Sequence, residues 1–94
     1  MSIQAATTEQ LQEFLDQHPV WESSNGKLHR EYRFNSFTEA FAFMTRVALV
    51  AEKNDHHPEW CNIYNRVIVD LVTHEAQAIT QRDFVLAQAM DAFC

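Results

Sequence analysis

The chain contains one glycine, and it follows an asparagine. Asn25-Gly26 is the pair that a two-residue β-hairpin turn demands, because both positions need positive φ and both residues tolerate it. It stands between "VWESS" and "KLHREYRF". Residues 20–23 and 27–34 are therefore expected to pair antiparallel. In the second strand Leu28, Arg30, Tyr32 and Phe34 share one parity, and Lys27, His29, Glu31 and Arg33 share the other. One side of the sheet should face a core, and the other should face water or a partner.

Helices are expected on either side of this hairpin. In "TTEQLQEFLDQHP" Thr7 and Gln10 have capping-box spacing, and Leu11, Phe14 and Leu15 fall on one face. Pro19 ends that helix and pushes His18 toward extended geometry. "SFTEAFAFMTRVALVAEKN" opens on Ser36 with Glu39 three residues on, a second capping box. Phe37, Ala40, Phe41, Met44, Ala48 and Ala51 form one apolar stripe; Phe43, Val47 and Val50 form another beside it. An arc this wide suits a helix laid across a sheet with little exposure. Glu52 falls in its last turn, where the macrodipole disfavours a carboxylate.

Beyond a loop containing "DHHPEW", the run "WCNIYNRVIVDLVTHE" reads as strand, bend near Asn65-Arg66, strand. Cys61 is expected to be buried packing. "TQRDFVLAQAMDAFC" reads as a last helix capped by Thr80, with Asp83 supporting its amino end. Phe84, Ala87 and Asp91 share one face; Val85, Leu86, Ala89, Met90 and Phe93 cover the apolar remainder. The order α-β-β-α-β-β-α predicts an α+β fold, a four-stranded antiparallel sheet with helices packed on one face.

The 94 residues suit a single domain spanning 1–94. A domain of this size buries roughly 60–65% of its unfolded surface. Yet 47% of its residues are hydrophobic, which predicts burial between subunits and hence a homo-oligomer. A net charge of −6 argues against direct nucleic-acid binding. No apolar run is long enough to span a membrane, and the amino end lacks signal-peptide character. Cys61 and Cys94 make neither a metal spacing nor a disulfide framework. These features fit a reduced, cytoplasmic protein.

Three histidines are the candidates for chemistry. His56 and His57 are adjacent, and Pro58 holds them by fixing its own φ and biasing His57 toward extended geometry. Glu52 and Asp55 lie close by and can orient an imidazole. His74 ends the second strand of the later pair. A solvated loop is one reading of these residues. A metal site is another, but neighbouring histidines in extended chain point to opposite sides, and no thiolate stands at a useful spacing. Acid–base work requires only well-placed imidazoles, which titrate near neutral pH. It requires that the loop and the strand end adjoin.

The segments "AEKNDHHPEWCNIYN" and "THEAQAITQRDFVLA" resemble the pterin-4a-carbinolamine dehydratase family, also called the dimerisation cofactor of a homeodomain transcription factor. The resemblance runs from about Trp21 to the carboxyl end. It rests on Glu52, His56-His57-Pro58, the aromatics Trp60 and Tyr64, His74 and Asp83 together. It implies dehydration of a 4a-hydroxytetrahydropterin (4a-hydroxytetrahydrobiopterin for the family) to the quinonoid dihydropterin. That step recycles the cofactor of aromatic amino acid hydroxylases, a possible partner. It implies homodimers or homotetramers and no metal or organic cofactor. It places His56, His57 and His74 around the pterin, with His57 and His74 in proton transfer and His56 positioning the ring. Glu52 would orient an imidazole, Asp83 would support His74 or cap the last helix, and Pro58, Trp60 and Tyr64 would flank the substrate, unless the two aromatics, as strand residues, pack in the core instead. The chain departs from the family at Cys61, where an aromatic is usual, and at Gln77 and Ala78, where a glycine is usual. A residue other than glycine held at positive φ there is strained by about 1 kcal/mol or more. Two other functions fit the same residues: a protein-binding, coactivator-like module, and a same-fold relative acting on another pterin, as in molybdopterin metabolism.

Overall fold

A computed structural model describes residues 3–94. The elements follow in the expected order: α1 (Thr8–Gln17), β1 (Glu22–Ser24), β2 (Lys27–Arg33), α2 (Phe37–Asn54), β3 (Glu59–Ile63), β4 (Arg66–Leu71) and α3 (Gln81–Asp91). The strands form one antiparallel sheet in the order β1-β2-β4-β3. The two hairpins therefore meet through β2 and β4, and β1 and β3 are the edges.

The β1–β2 turn is the one the Asn-Gly pair demands, with φ of 55° at Asn25 and 76° at Gly26. The first strand is shorter and later than expected. Val20 stays in the preceding turn and is exposed, while Trp21 is buried. The second bend falls at Tyr64-Asn65, one residue before the expected place, with Tyr64 at φ 53°.

Alternation sets the two faces of the sheet. Leu28, Tyr32, Val67, Val69 and Leu71 are buried on the inner face, beneath the helices. Glu59, Cys61 and Ile63 of β3 have the opposite parity and lie beside Asp70, Ile68 and Arg66. Cys61 is thus exposed, not buried as expected, because it sits outward on an edge strand.

Both capping boxes at Thr7–Gln10 and Thr80–Asp83 close in both directions; at α2 the Ser36 hydroxyl accepts from the Glu39 amide. Helix α2 buries Ala40, Phe43, Val47 and Ala51, a stripe of i, i+3, i+4 spacing. Phe37, Phe41 and Ala48, read as part of the buried arc, are exposed, as is Leu49. One helix touches one layer along a single stripe, so an apolar arc wider than that stripe stays outside. Helix α3 buries Phe84, Leu86, Ala87 and Met90, and Val85 points outward. Phe14 of α1 stacks on Phe84 with ring centroids 4.6 Å apart, which joins α1 to this layer.

Candidate active site

The histidine loop begins where α2 stops. Asp55 is left-handed, at φ 51°, and the His56 amide donates back to the Ala51 carbonyl at 3.0 Å. This six-to-one bond is the Schellman closure of a helix, and it turns His56 inward. His57 and Pro58 then lead into β3.

His56 is buried, at 8% exposure. Its Nε2 lies 2.6 Å from Asp83 Oδ1. Asp83 is fully buried in the first turn of α3. Its other oxygen accepts from the Thr73 hydroxyl at 2.8 Å and from the Thr80 amide at 2.9 Å. The hydroxyls of Thr73 and Thr80 lie 2.6 Å apart. A buried carboxylate is tolerable only when its lone pairs are taken, and here all the donors are present. Asp83 therefore caps α3 and holds His56. It does not reach His74, the imidazole that the resemblance offered it as the alternative to capping, because His74 faces outward and finds another carboxylate.

His57 is exposed, and its Nε2 lies 2.7 Å from Glu52 Oε1. The carboxylate in the unfavourable last turn of α2 thus has a partner across the helix end. His74 follows β4 in a turn closed by the Thr73–Ala78 bridge. Gln77 occupies that turn at φ 52°, so the glycine-free sequence keeps the left-handed residue despite its cost. His74 is exposed, and its Nε2 lies 2.9 Å from Glu59 Oε2.

Each imidazole therefore presents Nε2 to a carboxylate of its own. A neutral ring so placed donates its Nε2–H to the acid, and its Nδ1 lone pair is then free to act as a base. The three histidines border one cavity of about 270 Å³, with Asp55, Val72 and Glu75. That is slightly below the range of about 300–1,000 Å³ usual for a small-molecule site. His56 also borders a second cavity of about 340 Å³, which Asn54, Gln81, Arg82, Val85 and Leu86 complete.

Of the other residues singled out in the sequence, Trp60 packs against the core from the inner face of β3. Pro58 is half-buried between His57 and β3. Tyr64 sits in the β3–β4 turn, the full length of β3 away from the histidine loop, and the fold of the chain does not bring it to the rings. Glu59 and Thr73 were missed. Glu59 stands beside "HHP" in the sequence, but its reach to His74 depends on strand register. Thr73 looks like an ordinary strand residue until Asp83 is placed under it.

Among the described residues, no three of the His, Cys, Asp and Glu side chains form a cluster able to hold a metal ion. No helix of the described residues is long and apolar enough to cross a membrane.

The comparisons with known proteins agree with one another. The family model for "Pterin 4 alpha carbinolamine dehydratase" matches residues 4–93. A relative from Solibacter usitatus is 53% identical over 83 residues, 88% of this chain and 87% of its own length. One from Rhizorhabdus wittichii is 48% identical over 94 residues, 98% of this chain and 97% of its own. Both bear the name "Putative pterin-4-alpha-carbinolamine dehydratase". A crystal structure described as a transcriptional coactivator/pterin dehydratase from Brucella melitensis superposes with a TM-score of 0.90 at 41% identity, covering 95% of this chain and 97% of that one. With the family's sequence pattern spread over nearly the whole length and its fold reproduced, this chain belongs to the pterin-4a-carbinolamine dehydratase family.

Proposed function

We propose that the protein dehydrates a pterin-4a-carbinolamine, a 4a-hydroxytetrahydropterin. The C4a–O bond breaks and the hydroxyl leaves as water. The N5–H bond also breaks, its electrons form the N5=C4a double bond, and the quinonoid dihydropterin results. The reaction needs a proton for the leaving oxygen and a base for N5, and no redox partner. Each such group typically contributes about 10²–10⁴-fold.

The observation that carries this reading is the set of three imidazoles around one cavity, each on its own carboxylate. His57 and His74 are exposed, so each can exchange protons with water between turnovers. They are the proton-transfer pair, one at the C4a hydroxyl and one at N5. His56, locked on buried Asp83, positions the ring. The step would recycle the pterin of an aromatic amino acid hydroxylase.

The test is optical. The carbinolamine is generated with such a hydroxylase, and its decay is followed with and without the protein. Decay should accelerate, and His57→Ala and His74→Ala should each lose about 10²-fold or more. Unchanged decay with folded wild type sinks the reading.

A second role has a specific observation behind it. Phe37, Phe41 and Leu49 lie exposed on the outer side of α2, and isolated monomers seldom expose a large connected apolar patch. They support a homodimer or homotetramer, or a coactivator-like contact. A mass that stays monomeric up to high concentration would remove the self-association reading.

A further inference from the structure

His74 is the least supported of the three rings. Its side chain is 74% exposed, so packing cannot fix its rotamer. Among the described residues its ring has one hydrogen-bond partner, Glu59 at the start of β3. Glu59 is itself held. Its Oε1 accepts from Lys27 Nζ at 2.6 Å, while Oε2 faces His74, so the two donors do not compete for one oxygen. The three residues come from three distant segments: Lys27 opens β2 directly after the Asn25-Gly26 turn, Glu59 opens β3, and His74 follows β4. Pairing of β2, β4 and β3 brings them to the same end of the sheet, with Glu59 beside Asp70 on the same face as Lys27.

Such an arrangement adds little to stability. Exposed ion pairs contribute little because side-chain ordering and solvent screening offset the attraction. Its effect is orientational. A carboxylate anchored on one oxygen by an ammonium is restricted on the other, and an imidazole hydrogen-bonded to it loses the freedom an exposed side chain otherwise has. The ionic form of the pair is favoured as well. The Lys27 hydrogen bond holds the Glu59 carboxyl below its ordinary value, against the opposing effect of burial, and Lys27's charge and His74 lower it further. Lys27 is raised, chiefly by its hydrogen bond to Glu59.

We propose that Glu59 is the positioning residue for His74, and that Lys27 fixes Glu59 in the orientation that task requires. The kinetic part of this proposal rests on the dehydratase reading; the orientational part does not.

The experiment has two readouts. In turnover, Glu59→Ala should lower kcat about tenfold, by analogy with the lower end for losing a carboxylate that orients a metal-bound imidazole, and leave KM unchanged. Lys27→Met should lower kcat in the same direction by less. In the His74→Ala background, Glu59→Ala should have no further effect, because its influence passes through the missing ring. An unchanged kcat in Glu59→Ala, or an equal loss in the His74→Ala background, overturns the proposal. The second readout is the side-chain couplings of His74 in an NMR spectrum of the free protein. They should report one rotamer in the wild type and averaging in Glu59→Ala. Averaging already present in the wild type overturns the proposal whether or not the protein is an active dehydratase. An inactive wild type with a fixed His74 would instead count against the dehydratase reading alone.

Discussion

Helix α3 carries an aspartate at each end, and each gathers three hydrogen bonds. Asp83, in the first turn, accepts from His56, Thr73 and the Thr80 amide. Asp91, the last residue, accepts from the Trp21 indole at 3.0 Å, from Arg30 at 2.7 Å and from the Tyr32 hydroxyl. They are about 12 Å apart along the helix. The amino-terminal carboxylate sits where the helix dipole favours it, and the carboxyl-terminal one where the dipole opposes it. Arg30 offsets that opposition with a permanent cation and also lies 4.0 Å over the Tyr32 ring. At Asp83 the corresponding partner is instead an imidazole, His56, that borders a cavity. The same device thus serves two ends. With a guanidinium partner it ties helix to sheet, and with an imidazole partner it orients a ring that borders the candidate site.

The largest expected effect breaks this comparison at the site. Asp83→Asn should destabilise the chain by about 3 kcal/mol, the upper end for leaving buried donors poorly satisfied, and should cost turnover about 10²-fold because His56 loses its anchor. Asp91→Asn should cost about 1–3 kcal/mol through its unsatisfied donors and leave turnover unchanged. Denaturant melts with carbinolamine decay on the same preparations check both. Equal loss of turnover in the two variants would erase the distinction.

Tyr32 sharpens the Asp91 side. Burial raises its hydroxyl above the ordinary tyrosine value, and the hydrogen bond to Asp91 adds to the rise. A group raised in the folded state stabilises fully below its unfolded value, about pH 10, and that contribution is lost as pH rises further, since the unfolded chain releases the proton first. Stability should therefore fall above about pH 10. Tyr32→Phe should cost about 1 kcal/mol near neutral pH and make the alkaline fall shallower by one proton, as read from melts across that range.

On the site side, Gln77→Gly should stabilise by somewhat less than 1 kcal/mol, since relief at φ 52° is offset by the freer unfolded chain. A loss of stability would show that the turn after His74 is not strained. The smallest effect belongs to Glu59. Its carboxyl is lowered in the folded state, chiefly by the Lys27 hydrogen bond. Its contribution is complete above the ordinary value of 4.5 and disappears as pH falls toward the lower folded one. Lys27→Met should slightly reduce that acid dependence in melts between about pH 3 and 6.

The elements were legible because their signals are local. Asn25-Gly26, the Thr7 and Thr80 caps and the alternation through Val67–Thr73 each act within a few residues. What the sequence hid depends on which strands are neighbours. Cys61 reads as apolar packing until β3 proves to be an edge. Phe41 reads as core until the sheet covers only one stripe of α2. The histidine trio was readable as residue types and as a resemblance, but the acids that serve each ring were only partly so. Glu52 lies five residues from His57 and could be anticipated. Asp83 to His56 and Glu59 to His74 span 27 and 15 residues, and only tertiary pairing decides such partners.

Asp83 closes the first turn of α3 and orients His56 with the same carboxylate. Fraying of that turn and loss of the ring's alignment are consequently one event. The amide exchange of Thr80 and its neighbours then serves as a clock for the site. Whatever loosens the start of this helix should register in that exchange and in the ring's alignment together.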